Sequence, residues 1–148
     1  MKKQTAIALL ALAAAALPGL AQQMKAEDEI KYRRAAYTLM ALNFGSLAAM
    51  AQEKKPFNKD EAARNADFVA MLATVPKGYF GEGTGKETKA KPEIWANRPD
   101  FDAKMEKMIG ETGKLPAAAR AGDMAAFKKQ VSDTGAACKA CHDDYRAK

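Results

Sequence analysis

The sequence predicts an all-α protein, an antiparallel four-helix bundle, on three observations. Apolar residues recur at spacings of three and four along four separate segments. Pro and Gly collect mainly between those segments, where they interrupt helices. No apolar–polar alternation of strand type runs far enough to propose a sheet. Four helices joined by two short connections and one long one give antiparallel neighbours around a shared core.

The chain begins with a segment of a different kind. Lys2 and Lys3 precede an uncharged apolar run from Ala6 to Leu17, and Pro18-Gly19-Leu20-Ala21 follows with small residues at a cleavage-type spacing. These are the parts of a secretory signal peptide. The run is too short for the roughly 20 residues that cross a bilayer. We therefore expect residues 1–21 to be a cleaved signal and residues 22–148 to form one bundle domain, with no membrane attachment after cleavage. Cleavage removes two lysines and no acids, lowering the formal charge from +6 to about +4. That charge is dispersed, so nothing beyond its sign supports nucleic-acid binding.

The first helix is expected from about Ala26 to Lys54. Ile30, Tyr37, Met40, Phe44 and Leu47 form one stripe, and Leu39, Leu42 and Met50 widen it to a second side. A helix apolar on more than one side is buried on several sides or meets a partner. Pro56 ends it, and Asn58 caps the second helix, with Asp60 and Glu61 in its first turn. Ala62, Ala66, Val69 and Leu72 supply one face of that helix, Phe68, Met71 and Val75 another. Pro76 stops it.

Residues 76–98, rich in Gly and Pro, read as a long crossing loop whose Ile94 and Trp95 tuck onto the core. The third helix starts near Pro99-Asp100 and carries Phe101, Met105, Met108, Leu115 and Ala119. Gly110, Gly113 and Pro116 predict a kink near 112–116. Gly122-Asp123 makes the next turn and cap. The fourth helix places Met124, Phe127, Val131, Thr134, Cys138, Cys141 and Tyr145 on one seam.

Chemistry concentrates in Cys138-Lys139-Ala140-Cys141-His142, which holds both cysteines and the single histidine of the 148 residues. Structural zinc needs four ligands of such types and finds three. A thioredoxin-like pair expects a βαβ setting, which is missing from the pattern. A disulfide between positions i and i+3 of one helix is strained and closes almost no loop. The spacing C-x-x-C-H instead reads as a c-type haem attachment site, two thioethers followed by an axial imidazole. One covalent haem c is thus expected inside the bundle, on Cys138 and Cys141, with His142 as the axial iron ligand. The signal together with this motif points to the periplasm.

A C-x-x-C-H motif at the C-terminal end of an exported helical chain resembles the class II c-type cytochromes, specifically the cytochrome c′ family. Lys31-Tyr32-Arg33, Pro92-Glu93-Ile94-Trp95, the haem motif with Asp143, and Tyr145-Arg146 carry the resemblance, which extends over the whole mature chain. It implies a five-coordinate, high-spin iron that binds nitric oxide and carbon monoxide, with electron-transfer and nitric oxide tolerance roles. It also implies a redox partner protein, a homodimer through the first two helices, and no enzymatic activity.

Low-spin relatives ligate iron through a methionine one turn after the Arg33 position. Here that place holds Tyr37, which the resemblance makes the residue crowding the distal pocket; its residue-level alternative is an ordinary core aromatic. Ligation as tyrosinate requires a strongly lowered phenol pKa. Met40, one turn further on, is either packing or the sixth ligand of a low-spin electron carrier. Arg33 pairs a haem propionate, borders the distal pocket, or lies on a solvated face. Arg146, four residues after His142, reaches the proximal side or simply complements the helix dipole. Phe127 and Trp95 are expected to shield the porphyrin.

Overall fold

The computed structural model describes residues 24–148, so the signal expected over 1–21 lies outside the described residues. Four long helices, α1 (Ala26–Ala51), α2 (Lys59–Ala73), α4 (Arg98–Ala121) and α5 (Met124–Tyr145), form the bundle. The loop between α2 and α4 carries a 3₁₀ turn (Pro76–Gly78) and one short helix, α3 (Glu93–Ala96). Among the described residues there is no named β-strand, and no helix is long and apolar enough to cross a membrane.

Local chemistry sets the helix ends. Asn58 Oδ1 accepts from the Glu61 amide at 2.9 Å, and Asp123 Oδ1 accepts from the Ala125 and Ala126 amides at 2.9 and 3.1 Å. Gly122, at φ 78°, turns the chain from α4 into that second cap, a conformation glycine adopts without a Cβ clash. α1 stops at Ala51, three residues short of the expected Lys54. Glu53 takes a left-handed conformation (φ 61°), and the Lys54 amide bonds back to the Ala49 carbonyl at 2.9 Å.

α4 runs through Pro116 without a break in its helical assignment, contrary to an interruption at 112–116. Pro116 has no N–H for the Thr112 carbonyl. The polar groups of this turn are instead engaged by neighbours. The Thr112 hydroxyl donates to the carbonyls of Met108 and Ile109, both at 2.9 Å, while Gln130 Nε2 on α5 donates to the Glu111 carbonyl at 3.0 Å.

The core runs along the bundle axis, with Leu47, Met50, Val69, Phe101, Leu115 and Phe127 all buried. α2 packs extensively on α1 and α4, and α4 on α5, whereas α1 and α5 meet sparingly. That gap is where the site lies.

The long loop is tied to α1 by two buried charged residues, Glu29 and Arg33. Glu29 Oε2 accepts from the Gly81 amide at 3.1 Å. Arg33 donates to the carbonyls of Tyr79 (2.8 Å) and Thr84, and its guanidinium lies 4.4 Å from the Phe80 ring centroid. The solvated-face reading of Arg33 is thereby overturned: the loop folds over that face and supplies carbonyl acceptors. At its far end the loop pairs with the C-terminal tail. The Lys91 amide donates to the Tyr145 carbonyl at 3.0 Å and the Ala147 amide to the Lys89 carbonyl at 2.8 Å. Lys91 Nζ also reaches the Asp143 and Asp144 carbonyls, at 3.1 and 3.0 Å, covering exposed acceptors at the end of α5.

Ile94 is buried and Trp95 half-buried, as the sequence predicts. Trp95 Nε1 donates to the carbonyls of Phe80 and Gly81 at 3.1 and 3.0 Å, and a Cβ on Gly85 would stand 2.7 Å from the Trp95 ring. Gly85→Ala should therefore destabilise the haem-loaded protein by about 1–3 kcal/mol. Denaturant unfolding checks this, and an unchanged midpoint would mean that the loop does not rest on Trp95.

Candidate haem site

Positions 134, 138, 141 and 145 of α5 share one face because they are three and four residues apart. That face, with His142 beside it, forms one wall of a cavity of about 620 Å³. Opposite stand Arg33, Arg34, Tyr37, Thr38, Met40, Ala41 and Phe44 of α1. Phe101, Met108 and Thr112 of α4, Val69 of α2, and Phe80 and Ile94 close the rest, with Thr88, Lys89 and Ala90 at the loop side. Arg33, Tyr37, Cys138, Cys141, His142 and Arg146, all named from the sequence, line this one cavity, as does Met40.

Phe127 and Trp95 do not. Phe127 packs edge-on against Phe57, centroids 5.2 Å apart, and Trp95 turns to the loop carbonyls. Their expected place is taken by Phe44, Phe80, Ile94 and Phe101, which the sequence reading assigned to general packing or did not single out.

Both cysteines are half-buried and unpaired with each other. Burial pushes the Cys138 thiol up, and burial followed by the neighbouring Cys138 pushes Cys141 up to about 11. Such thiols stay protonated at neutral pH, unlike nucleophilic or redox-active cysteines. Among the described residues no group of three or more His, Cys, Asp or Glu side chains is arranged to hold a metal ion. His142, exposed at the cavity mouth, is lowered below its ordinary value by partial burial and then by Arg146, which favours the neutral imidazole that ligates metals.

Tyr37 is half-buried, and burial raises its phenol pKa, opposite to what tyrosinate ligation requires. Its hydroxyl donates to Met105 Sδ of α4 at 3.7 Å. Arg33 keeps a charged group at the wall and, among the described residues, makes no carboxylate ion pair, although burial pulls its pKa down. Arg146 is exposed, and its amide is the last to bond back into α5, to the His142 carbonyl at 3.1 Å.

The residues fit a haem. The cavity volume lies in the roughly 300–1,000 Å³ range of cofactor clefts, its walls are mainly apolar, and one wall bears a protonated thiol pair next to a neutral imidazole. Arg33, Arg34 and Lys89 line it with positive charge suited to carboxylates. Sequence reasoning missed the Thr88–Ala90 segment, Phe80 and Met105. The loop residues reach the site only through long-range folding, and Met105 looked like one more core apolar residue.

A four-helix bundle that builds its site in the core from side chains on facing helices belongs to the bundle class of cofactor proteins, and its C-x-x-C-H wall makes it a c-type haem protein. Residues 28–146 match the family described as Cytochrome C′. Cytochrome c′ from Rubrivivax gelatinosus is 44% identical over 129 residues, 86% of this chain and 100% of that protein. Its crystal structure matches with a TM-score of 0.80 over 84% of this chain and 98% of that one. The cytochrome c′ structure from Shewanella frigidimarina, 38% identical, gives 0.81 over 84% and 98%. A nitric oxide complex of a mutant cytochrome c′ from Alcaligenes xylosoxidans, 39% identical, gives 0.77 over 84% and 97%. The chain belongs to the cytochrome c′ family, whose members carry covalent haem c.

Tyr145 donates to Asp100 Oδ2 at 2.5 Å, and this bond, then burial, pushes its phenol up to about 12. The folded value lies above the ordinary value near 10. The bond's stabilisation is therefore complete below about pH 10 and lost as the pH rises through about 12. Tyr145→Phe should flatten the fall in stability across that window, read as urea midpoints against pH.

Proposed function

We propose that this protein is a periplasmic cytochrome c′ that binds small uncharged gases, nitric oxide and carbon monoxide, at a five-coordinate iron. Electron transfer with a redox partner protein, and nitric oxide tolerance, are its accompanying roles. When bound, haem c supplies an iron with two axial positions. Cys138 and Cys141 would hold the group through thioethers, and His142 of α5 would be its protein ligand to iron. Tyr37 faces the other side from α1, where its ring crowds the space and its phenol stays protonated. Arg33, bonded to the Tyr79 and Thr84 carbonyls, would offer its charge to a propionate, and Arg146 would lie on the His142 side. We assign no catalytic residue: the one histidine is taken by the metal, and the two thiols by the attachment.

The observation that carries this reading is the placement of Tyr37 on the wall opposite the Cys138–His142 helix, with its pKa raised by burial. A phenol held neutral is a poor iron ligand, so Tyr37 would crowd the side opposite His142 without ligating there. Met40, buried on the same wall, supports the other reading, a low-spin electron carrier with a methionine sixth ligand. The nitric oxide complex of the Alcaligenes relative favours the first. Periplasmic residence rests on the signal read in residues 1–21.

The exposed apolar residues Tyr32, Leu39 and Leu42 of α1 and Phe68 and Met71 of α2 support a homodimer through these helices. Leu42 is 69% and Met71 58% exposed, more than isolated surface apolar residues require.

The deciding experiment is the visible spectrum of the reduced, haem-matured protein before and after carbon monoxide. A broad high-spin spectrum that sharpens with the gas is expected. Sharp low-spin bands indifferent to it would move the function to electron transfer through Met40. Tyr37→Met should yield a six-coordinate iron with at least tenfold weaker carbon monoxide binding, about 1.4 kcal/mol or more. For the dimer, Leu42→Glu combined with Met71→Glu should sediment as a monomer in analytical ultracentrifugation while the parent sediments as a dimer. A monomeric parent would refute the interface.

A further inference from the structure

Tyr37 lines the cavity, yet its hydroxyl bonds to an atom of a residue outside the cavity lining. The acceptor, Met105 Sδ at 3.7 Å, belongs to a fully buried α4 residue that is not part of the cavity wall. Other hydroxyls along the wall are also engaged. Thr112 donates to the Met108 and Ile109 carbonyls at 2.9 Å, and Thr88 to the Gly85 carbonyl at 2.8 Å. Thr134 points to the Glu111 carbonyl at 3.4 Å. These three threonines have carbonyl acceptors and Tyr145 has the Asp100 carboxylate, whereas Tyr37 has a thioether sulfur, a weak acceptor. The phenol is also kept protonated by burial, so it remains a donor at physiological pH.

We propose that Met105 is a specificity-determining positioning residue: by accepting the Tyr37 hydroxyl it turns a hydrogen-bond donor away from the gas site. The inference rests on the gas-binding reading above and deepens it. A ligand in the cavity then meets the carbon edge of the Tyr37 ring and no phenolic O–H. Distal donors and polarity decide which diatomic a haem pocket favours. A site with the donor withdrawn favours carbon monoxide and nitric oxide over dioxygen, whose bound form gains more from a donor. Because sulfur holds the hydroxyl weakly, removing that one atom is enough to release it.

The test compares wild-type holoprotein with Met105→Leu, Tyr37→Phe and the double variant. Leucine keeps the volume of methionine closely enough for the core to fold, without the acceptor. Two readouts are taken on reduced protein. One is the intensity ratio of the tyrosine Raman doublet, which reports the phenol hydrogen bond and needs no gas. The other is the C–O stretching frequency with the rate of carbon monoxide release.

Met105→Leu is expected to change the doublet, lower the C–O frequency and slow release roughly fivefold, the factor for one ordinary hydrogen bond. Tyr37→Phe alone should leave the frequency at the wild-type value, and in the double variant the effect of Met105→Leu should vanish. The proposal is overturned if Met105→Leu matches wild type in both readouts, or if its effect persists without the Tyr37 hydroxyl. A frequency raised by Tyr37→Phe alone would also overturn it, since the hydroxyl would already be on the ligand. Wild-type protein that takes up no carbon monoxide overturns the gas-site reading and the steering role together. The doublet tells that failure apart, because it reads the Tyr37–Met105 bond without a ligand.

Discussion

Everything in this fold depends on a bundle core that is incomplete without a large flat apolar group. A cavity of about 620 Å³ separates α1 from α5. A group that fills it removes mainly apolar wall from water, which adds to the stability of the bundle. Covalent attachment at Cys138 and Cys141, as proposed, would join the cofactor to the folding problem. The protonated state of the two thiols agrees with a role as attachment points, and α5, which bears them, packs on α1 far less than α2 does.

The second dependency is the loop between α2 and α4. It would be free to move if Glu29 and Arg33 did not hold it against α1 and if Lys91 did not cover the carbonyls at the end of α5. A buried arginine with carbonyl acceptors and an aromatic face, and no carboxylate ion pair, keeps its charge available to the cavity. One side chain thus fastens the loop and sets the sign of the local field. The tail pairing at Ala90 and Arg146 links the same loop to the proximal side, so the segment bearing Thr88 and Lys89 is held at both ends.

Hydroxyl direction gives the cavity its chemical character. Of the hydroxyl side chains in its wall, Tyr37 bonds to sulfur, Tyr145 to the Asp100 carboxylate, and Thr88, Thr112 and Thr134 to backbone carbonyls. Arg34, Lys89, His142 and Arg146 meet solvent at the rim, while Arg33 is the one buried charge in the wall. An apolar interior with a basic rim suits a dianionic macrocycle edge outside and an uncharged diatomic inside.

Much of this was legible in the chain because it depends on local spacing. Helical periodicity gave the four long helices, Asn58 and Asp123 announced their caps, and C-x-x-C-H named the cofactor, because two thiols and an imidazole three and four residues apart share a helix face whatever the rest of the protein does. Family resemblance added Tyr37 as the residue to watch. Tertiary structure decided what needs contacts distant in sequence. Arg33, read as solvent-facing or cofactor-directed, and Glu29, which the sequence did not single out, are buried because a loop some fifty residues away supplies their partners. Phe127 and Trp95 turned from the cavity to Phe57 and to loop carbonyls, since apolar character records burial but not direction. The Tyr37 hydroxyl could be assigned only when α4 brought the Met105 sulfur to it: a sequence specifies which donors exist, and the fold determines which acceptor each one reaches.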